Sequence, residues 1–266
     1  MFVRDVCNYL EEKYPKINAE DFDQPRIGLT IGSENIEVKN ILFSLDLNEE
    51  VVDEAIKKDC NLIITHHPYI FDPLYKVIFE SEKGRVLRKM FENNISTFSM
   101  HTNLDVGEEG VNDTLIKLLG VTDYKVINDE KVKGNYLRYG NIEEVSLKEL
   151  ALNVKEKFKL SGVKVYGDFG KKIKSIGVVG GSGAHMFDII NALKCNIDCF
   201  ITGEIKLNIA QFADYNGLSL IEVNHGVEKF VFEPLKKTME YDFKEKYGFE
   251  NNMFVSLVET DKFKSL

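Results

Sequence analysis

The stretch Ala55-Ile56-Lys57-Lys58-Asp59-Cys60-Asn61-Leu62-Ile63-Ile64-Thr65-His66-His67 carries a helix end, a turn and a buried strand, and closes on two adjacent imidazoles. It lies without gaps over Ala192-Leu193-Lys194-Cys195-Asn196-Ile197-Asp198-Cys199-Phe200-Ile201-Thr202-Gly203-Glu204, an offset of 137 positions. The same offset sets Ile41-Leu42 over Val178-Val179, and the loop after Ile41-Leu42 over Gly180-Gly181-Ser182-Gly183. A further 14 residues in the first copy change the offset to 123. His101-Thr102-Asn103-Leu104-Asp105 then lies over Asn224-His225-Gly226-Val227-Glu228. Few of the aligned residues are identical, so generic α/β units would give a similar match. The physical content holds either way: four strands end in His or an acid, at equivalent places in two halves.

The pattern around this repeat alternates strands and helices. Strands are expected at 26–31, 40–45, 61–65, 95–100, 136–139, 163–166, 173–179, 198–201, 218–223 and 254–258. Helices are expected at 2–14, 49–58, 82–93, 110–119, 146–159, 185–194, 204–215 and 226–239. Asn48 is a helix N-cap, and Ser146-Leu147-Lys148-Glu149 a capping box. Alternation of this kind predicts an α/β protein with mostly parallel sheets; the internal duplication makes it two similar lobes, and the His and acid residues at matching strand ends a metal site in the cleft between them. Gly120 and the polar run through Lys133 place a boundary near residue 125, for lobes at 1–124 plus 222–266 and at 125–221.

Composition narrows the function. With 266 residues, 44% hydrophobic and 29% charged, the chain reads as an ordinary globular protein. Lys plus Arg is 34 against 43 for Asp plus Glu, a net charge of −9 that disfavours a broad nucleic-acid surface. No apolar run reaches the roughly 20 residues of a membrane span. Met1-Phe2-Val3-Arg4-Asp5 opens as a helix and not as a signal peptide. Cys7, Cys60, Cys195 and Cys199 form no Cys-x-x-Cys pair and no disulfide framework, so a cytoplasmic protein is expected.

One His at a strand end is most often only a polar residue. Here four of five histidines sit at such ends, and His185 alone does not. The gathered set is His66, His67, Asp105, His225 and Glu228, with His101 and Glu204 close behind. Imidazoles with one or two carboxylates suit Zn, Fe, Mn, Co or Ni, and a carboxylate can bridge two such ions. Two divalent metal ions roughly 3.5–4 Å apart can hold both oxygens of a displacement. His101 is the candidate general base or outer partner of the ligands. The glycine loop lacks the P-loop Lys and the dinucleotide spacing. Gly181, Ser182 and Gly183 before a helix remain candidates for phosphate binding, beside the plainer reading of a tight turn.

Thr65-His66-His67-Pro68, His101-Thr102-Asn103-Leu104-Asp105, Thr202-Gly203-Glu204 and the late His-plus-Glu segment resemble the interacting-factor-three-like proteins. These are also called the dinuclear metal centre family, or homologues of GTP cyclohydrolase I type 2. The resemblance covers nearly the whole chain. It implies two α/β lobes with a metal pair between them, a C-terminal segment that packs back on the first lobe, a ring-shaped homohexamer, and His66, His67, Asp105, His225 and Glu228 as ligands. One departure stands out: the family pattern His-x-x-x-Glu would put His at 224, where this chain has Asn224, and gives His225-Gly226-Val227-Glu228 instead. Either the turn shifts so that His225 binds, the preferred reading, or Asn224 takes the ligand position. Two functions follow: a dinuclear hydrolase acting on a small phosphorylated or nucleotide-like substrate, or a non-catalytic metal carrier or regulatory scaffold.

Overall fold

Leu62, Ile63 and Ile64 are wholly buried because the strand they form has a parallel neighbour on each edge and helices over both faces. The computed structural model describes residues 1–127 and 135–260. The polar run ending at Lys133 and the last residues of the 222–266 segment lie outside the described residues.

In chain order the elements are α1 (Val3–Lys13), β1 (Gly28–Ile31), β2 (Asn40–Ser44), α2 (Glu49–Lys57), β3 (Cys60–Thr65), α3 (Glu82–Glu92), β4 (Ser96–Ser99) and α4 (Thr102–Val106). Then come α5 (Val111–Leu118), β5 (Lys125–Val126), β6 (Arg138–Ser146), α6 (Leu147–Lys157), β7 (Lys164–Tyr166), β8 (Lys172–Val179) and α7 (Met186–Lys194). The chain ends with β9 (Cys199–Thr202), α8 (Leu207–Tyr215), β10 (Ser219–Glu222), a 3₁₀ helix at His225–Val231, α9 (Phe232–Tyr247) and β11 (Met253–Val255). The described residues divide into two units: Met1–Gly107 with Phe232–Thr260, and Glu108–Val231. The sequence reading cut instead at 124/125 and 221/222. The difference has a local cause: α5 packs on β6, on β8 and on the 225–231 helix, so all of these fall in one unit.

The first unit holds a five-stranded sheet in the order β1-β4-β3-β2-β11. β2, β3, β4 and β11 run parallel, and β1 is antiparallel at the edge. Val51, Val52 and Ala55 of α2 and Val86, Leu87 and Met90 of α3 close one core against Leu42 and Ile63. On another side Phe43 meets Phe232 of α9, with ring centroids 5.8 Å apart. The last strand pairs Met253 with Ile41, so the C-terminal segment does return to this sheet.

The second unit holds a six-stranded sheet, β5-β6-β8-β9-β10-β7. Here the expectation of mostly parallel pairing needs correction: β8, β9 and β10 are parallel, but β5–β6, β6–β8 and β7–β10 are antiparallel. β6 also runs on to Ser146, well past the predicted end at Tyr139, because Val145 and Ser146 still pair with Ile173 and Lys172. Ser146 then both ends the strand and caps α6, accepting from the Glu149 N–H while Glu149 accepts from the Ser146 N–H.

Each unit contains the succession strand, helix, strand, helix, strand with the three strands parallel. The helix ends coincide at the offsets read from sequence. Asp59 and Asn196 are both left-handed (φ 51° and 52°), 137 positions apart, and Asn94 and Gly217 (φ 53° and 74°) are 123 apart. No helix among the described residues is long and apolar enough to cross a membrane.

The second unit also buries a charge pair. Arg138 Nε donates to Asp113 Oδ1 at 2.6 Å, and both residues are 2% exposed. This ties α5 to β6. Arg138→Met is expected to lower unfolding free energy by about 3–5 kcal/mol in urea titration, because it strands a buried carboxylate. Arg138→Met with Asp113→Leu should recover most of the loss; a single variant as stable as wild type would refute this role for the pair.

Candidate metal centre

In the first unit the ladder continues past Thr65. The His66 N–H donates to Ser44 O (3.3 Å) and the His67 N–H to Leu45 O (2.9 Å), so two successive residues emerge from the same strand end in fixed orientations. The Met100 N–H donates to Thr65 O, which brings the end of β4 alongside. His66, His67 and His101 therefore cluster, with ring centroids 4.9, 5.3 and 5.6 Å apart. Each offers a ring nitrogen within 4.8 Å of the others, a group able to hold a metal ion.

Every one of these rings has its Nδ1 against an oxygen. His66 Nδ1 lies 3.0 Å from Met100 O, His67 Nδ1 2.6 Å from Asp46 Oδ1, and His101 Nδ1 2.9 Å from Asp23 Oδ1. A carbonyl or carboxylate only accepts, so in the neutral rings Nδ1 carries the proton and donates. The lone pair is then on Nε2, the arrangement by which outer carboxylates orient metal-bound histidines. His66 Nε2 faces Asp105 Oδ1 at 3.5 Å. Asp105 is placed by α4, where its N–H donates to His101 O.

The outer carboxylates are set to stay ionised. Burial raises the Asp23 carboxyl, but hydrogen bonds from His101 and Thr102 outweigh it and hold Asp23 below the usual range. Asp23 is fully buried and accepts from both the N–H and the hydroxyl of Thr102, at 3.1 and 2.7 Å. At Asp46 burial again opposes ionisation and the His67 hydrogen bond prevails, lowering its pKa.

The second unit repeats the device. His225 Nδ1 donates to Glu204 Oε1 at 2.7 Å, and Glu204 Oε2 accepts from the Ser182 hydroxyl at 2.6 Å. These bonds, Ser182 first and His225 second, lower the Glu204 carboxyl against its burial. His225 Nε2 lies 3.2 Å from Glu228 Oε2. The 3₁₀ winding of 225–231 brings residues three apart into register, which is why His-x-x-Glu converges. Glu228 is 3% exposed. His225 thus turns its ring onto the two acids, while the Asn224 carbonyl accepts from the Val227 N–H and starts the turn.

In the glycine loop, Gly181 and Gly183 are buried, and Ser182 is exposed with its hydroxyl on Glu204. His185 sits at the N-cap of α7. Sequence reasoning missed Asp23 and Asp46. Asp46 follows the end of β2 by two residues, a position that a search of all strand ends for acids would have found. Asp23 lies in an irregular turn and carries no such signal.

Imidazoles with acceptor-bound Nδ1 atoms, at the carboxyl ends of parallel strands, define an α/β protein with groups competent to hold a metal ion. The chain belongs to the Duf34/NIF3 (NGG1p interacting factor 3) family, whose profile matches residues 1–262. It is 37% identical over 228 residues to a Clostridium acetobutylicum protein named GTP cyclohydrolase 1 type 2 homolog, covering 84% of this chain and 83% of that one. A Lactococcus lactis protein of the same name is 33% identical, with 86% and 87% covered. Among solved structures, Staphylococcus aureus protein SA1388 matches with a TM-score of 0.91 at 29% identity, over 100% of this chain and 99% of that one. A Bacillus cereus protein related to NIF3 shows the same fold, with a TM-score of 0.91, 24% identity and the same coverage.

The tautomers can be read directly. In long-range ¹H–¹⁵N spectra of metal-free protein, the neutral rings of His66, His67 and His101 should appear as the Nδ1–H tautomer. Asp46→Ala should move only His67 toward the Nε2–H form. An Nε2–H form of His66 in the wild type would contradict the assignment.

Proposed function

We propose that His66, His67 and Asp105 of the first unit and His225 and Glu228 of the second serve one pair of divalent metal ions, and that the protein is a metal-dependent hydrolase of a small phosphorylated or nucleotide-like substrate. The observation that supports this most is the shared orientation of the rings: four strand-end histidines each direct Nδ1 at an oxygen, which leaves Nε2 to ligate. The donor set of imidazole and carboxylate suits Zn, Fe, Mn, Co or Ni. Divalent cations held there would supply Lewis acidity toward a phosphoryl or ring-carbon centre. His101, oriented by Asp23, would take or return a proton at Nε2. The backbone of Gly181, Ser182 and Gly183 is proposed to receive phosphate oxygens once cations offset the charge of Glu228.

The name GTP cyclohydrolase 1 type 2 homolog, carried by the clostridial and lactococcal relatives, favours a nucleotide among phosphorylated substrates. The same reading takes the two units as products of an internal duplication, supported by the left-handed residues that coincide at both offsets. It also takes the chain as a cytoplasmic homohexamer, to be checked by its mass in light scattering.

Metal-loaded protein should contain two ions per chain and turn over GTP or a simple phosphoester. His67→Ala combined with Glu228→Ala should reduce both metal content and turnover, the latter at least about 100-fold. Equal rates in wild type and variant would sink the hydrolase reading. Retained metal binding without turnover in the wild type would favour a carrier or scaffold.

A further inference from the structure

The glycine loop drew attention in the sequence as a possible phosphate cradle, yet at Gly181 it is packed against the side chains of Glu228 and His225. A Cβ on Gly181 would stand 2.5 Å from Glu228 Oε1 and 3.2 Å from His225 Nε2. A Cβ on Gly180 would stand 3.3 Å from Glu228 Oε1 and 3.1 Å from Val111 Cγ1. Gly181 is also left-handed, at φ 56°, a conformation that glycine adopts without steric cost. A side chain at Gly181 would therefore displace the Glu228 carboxylate from where it rests.

The turn itself is held from α5. The Asn112 side chain, 1% exposed, accepts from the Gly180 N–H through Oδ1 at 2.7 Å. The Gly181 carbonyl accepts from the Gly203 N–H (3.0 Å) and the Thr202 hydroxyl (3.3 Å), which ties the turn to the end of β9 just before Glu204. α5 also packs against the 225–231 helix that carries His225 and Glu228. One helix thus fixes both the seat and the residues seated on it, and Asp113 beside Asn112 anchors that helix to Arg138.

We propose that the Gly180-Gly181 turn, hung from Asn112, is the seat that sets Glu228 and His225 in ligating geometry, so that Asn112 is a positioning residue for metal binding. This rests on the metal reading of those two side chains. It assigns the glycines a role that holds whether or not phosphate ever reaches the loop. Asn112 holds the Gly180 N–H and so acts through the backbone of the turn, as outer partners of ligands commonly do.

The test measures Zn²⁺ affinity by chelator competition, the visible spectrum of the Co²⁺-loaded protein, and thermal midpoint, on the full chain. Asn112→Ala and Gly181→Ala should each weaken Zn²⁺ binding at least about tenfold and alter the Co²⁺ bands. Asn112→Asp, which keeps the oxygen that accepts from the Gly180 N–H, should stay within about threefold of wild type, the rescue expected where that bond is what positions the turn. Gly217→Ala is the control. Gly217 is also left-handed (φ 74°) but a Cβ there meets nothing within 4 Å, so it carries the backbone strain without the contact. It should lower the thermal midpoint and leave affinity and spectrum unchanged. If Asn112→Ala does not fold, Gly181→Ala decides by the same criterion. Wild-type affinity in Asn112→Ala and Gly181→Ala, beside lost Zn²⁺ in Glu228→Ala, would overturn the positioning role alone. Wild-type affinity in Glu228→Ala as well would overturn both it and the metal reading.

Discussion

A neutral imidazole has one proton to give and one lone pair to offer, and an oxygen fixed at Nδ1 decides which nitrogen does which. That constraint governs the arrangement of both units. Met100 O, Asp46, Asp23 and Glu204 each hold the Nδ1 of one histidine. None of these oxygens comes from the same element as the ring it holds. The acceptor for His66 is the residue after β4, that for His67 follows β2, and that for His101 precedes β1. The orientation of each ring is thus a statement about how neighbouring strands are aligned.

Parallel pairing makes the alignment possible. β2, β3 and β4 point the same way, so the residues that follow them come out at one edge of their sheet. β8, β9 and β10 do the same in the second unit, which gathers the glycine loop, Thr202-Gly203-Glu204 and His225 at one edge there. Open α/β sheets present binding groups at such carboxyl ends. The antiparallel strands β1, β5, β6 and β7 extend the sheets, and β1 begins beside that edge, where the turn before it supplies Asp23 to His101. Their side chains do other work, as Arg138 of β6 does in holding α5.

How much of this was legible depended on whether a residue belonged to a pattern. Leu62-Ile63-Ile64 and Phe200-Ile201 announce buried strands by composition alone, and the helix caps at Asn48 and Ser146 follow from local chemistry. The two histidines at the end of β3 are readable because strand and break are both marked. Asp23, Asp46 and Asn112 are not, since each is a single polar residue whose partner lies 78, 21 and 68 positions away. The antiparallel half of the second sheet was missed for a related reason: β6 has mixed burial along its nine residues, so it lacks the apolar run that marks a central parallel strand. The unit boundary at Gly107 was invisible because it depends on what α5 packs against, a tertiary fact.

The same physical tension recurs in both units. His66 has its Nδ1 on Met100 O and its Nε2 3.5 Å from Asp105; His225 has its Nδ1 on Glu204 and its Nε2 3.2 Å from Glu228. A neutral ring held this way would turn a lone pair toward the carboxylate, so that two acceptors face one another. Asp105 and Glu228 are buried, 9% and 3% exposed, where water screens such a contact poorly. A proton shared on the ring relieves it in one way, and a cation between the two relieves it in another. A fold selected for stability alone would replace such pairs with apolar residues, which is often neutral or stabilising. Their presence twice, each braced by a further acceptor on the far nitrogen, is a local conflict of the kind that proteins keep at functional sites. That conflict, more than the count of histidines, supports the proposal that these positions hold positive charge.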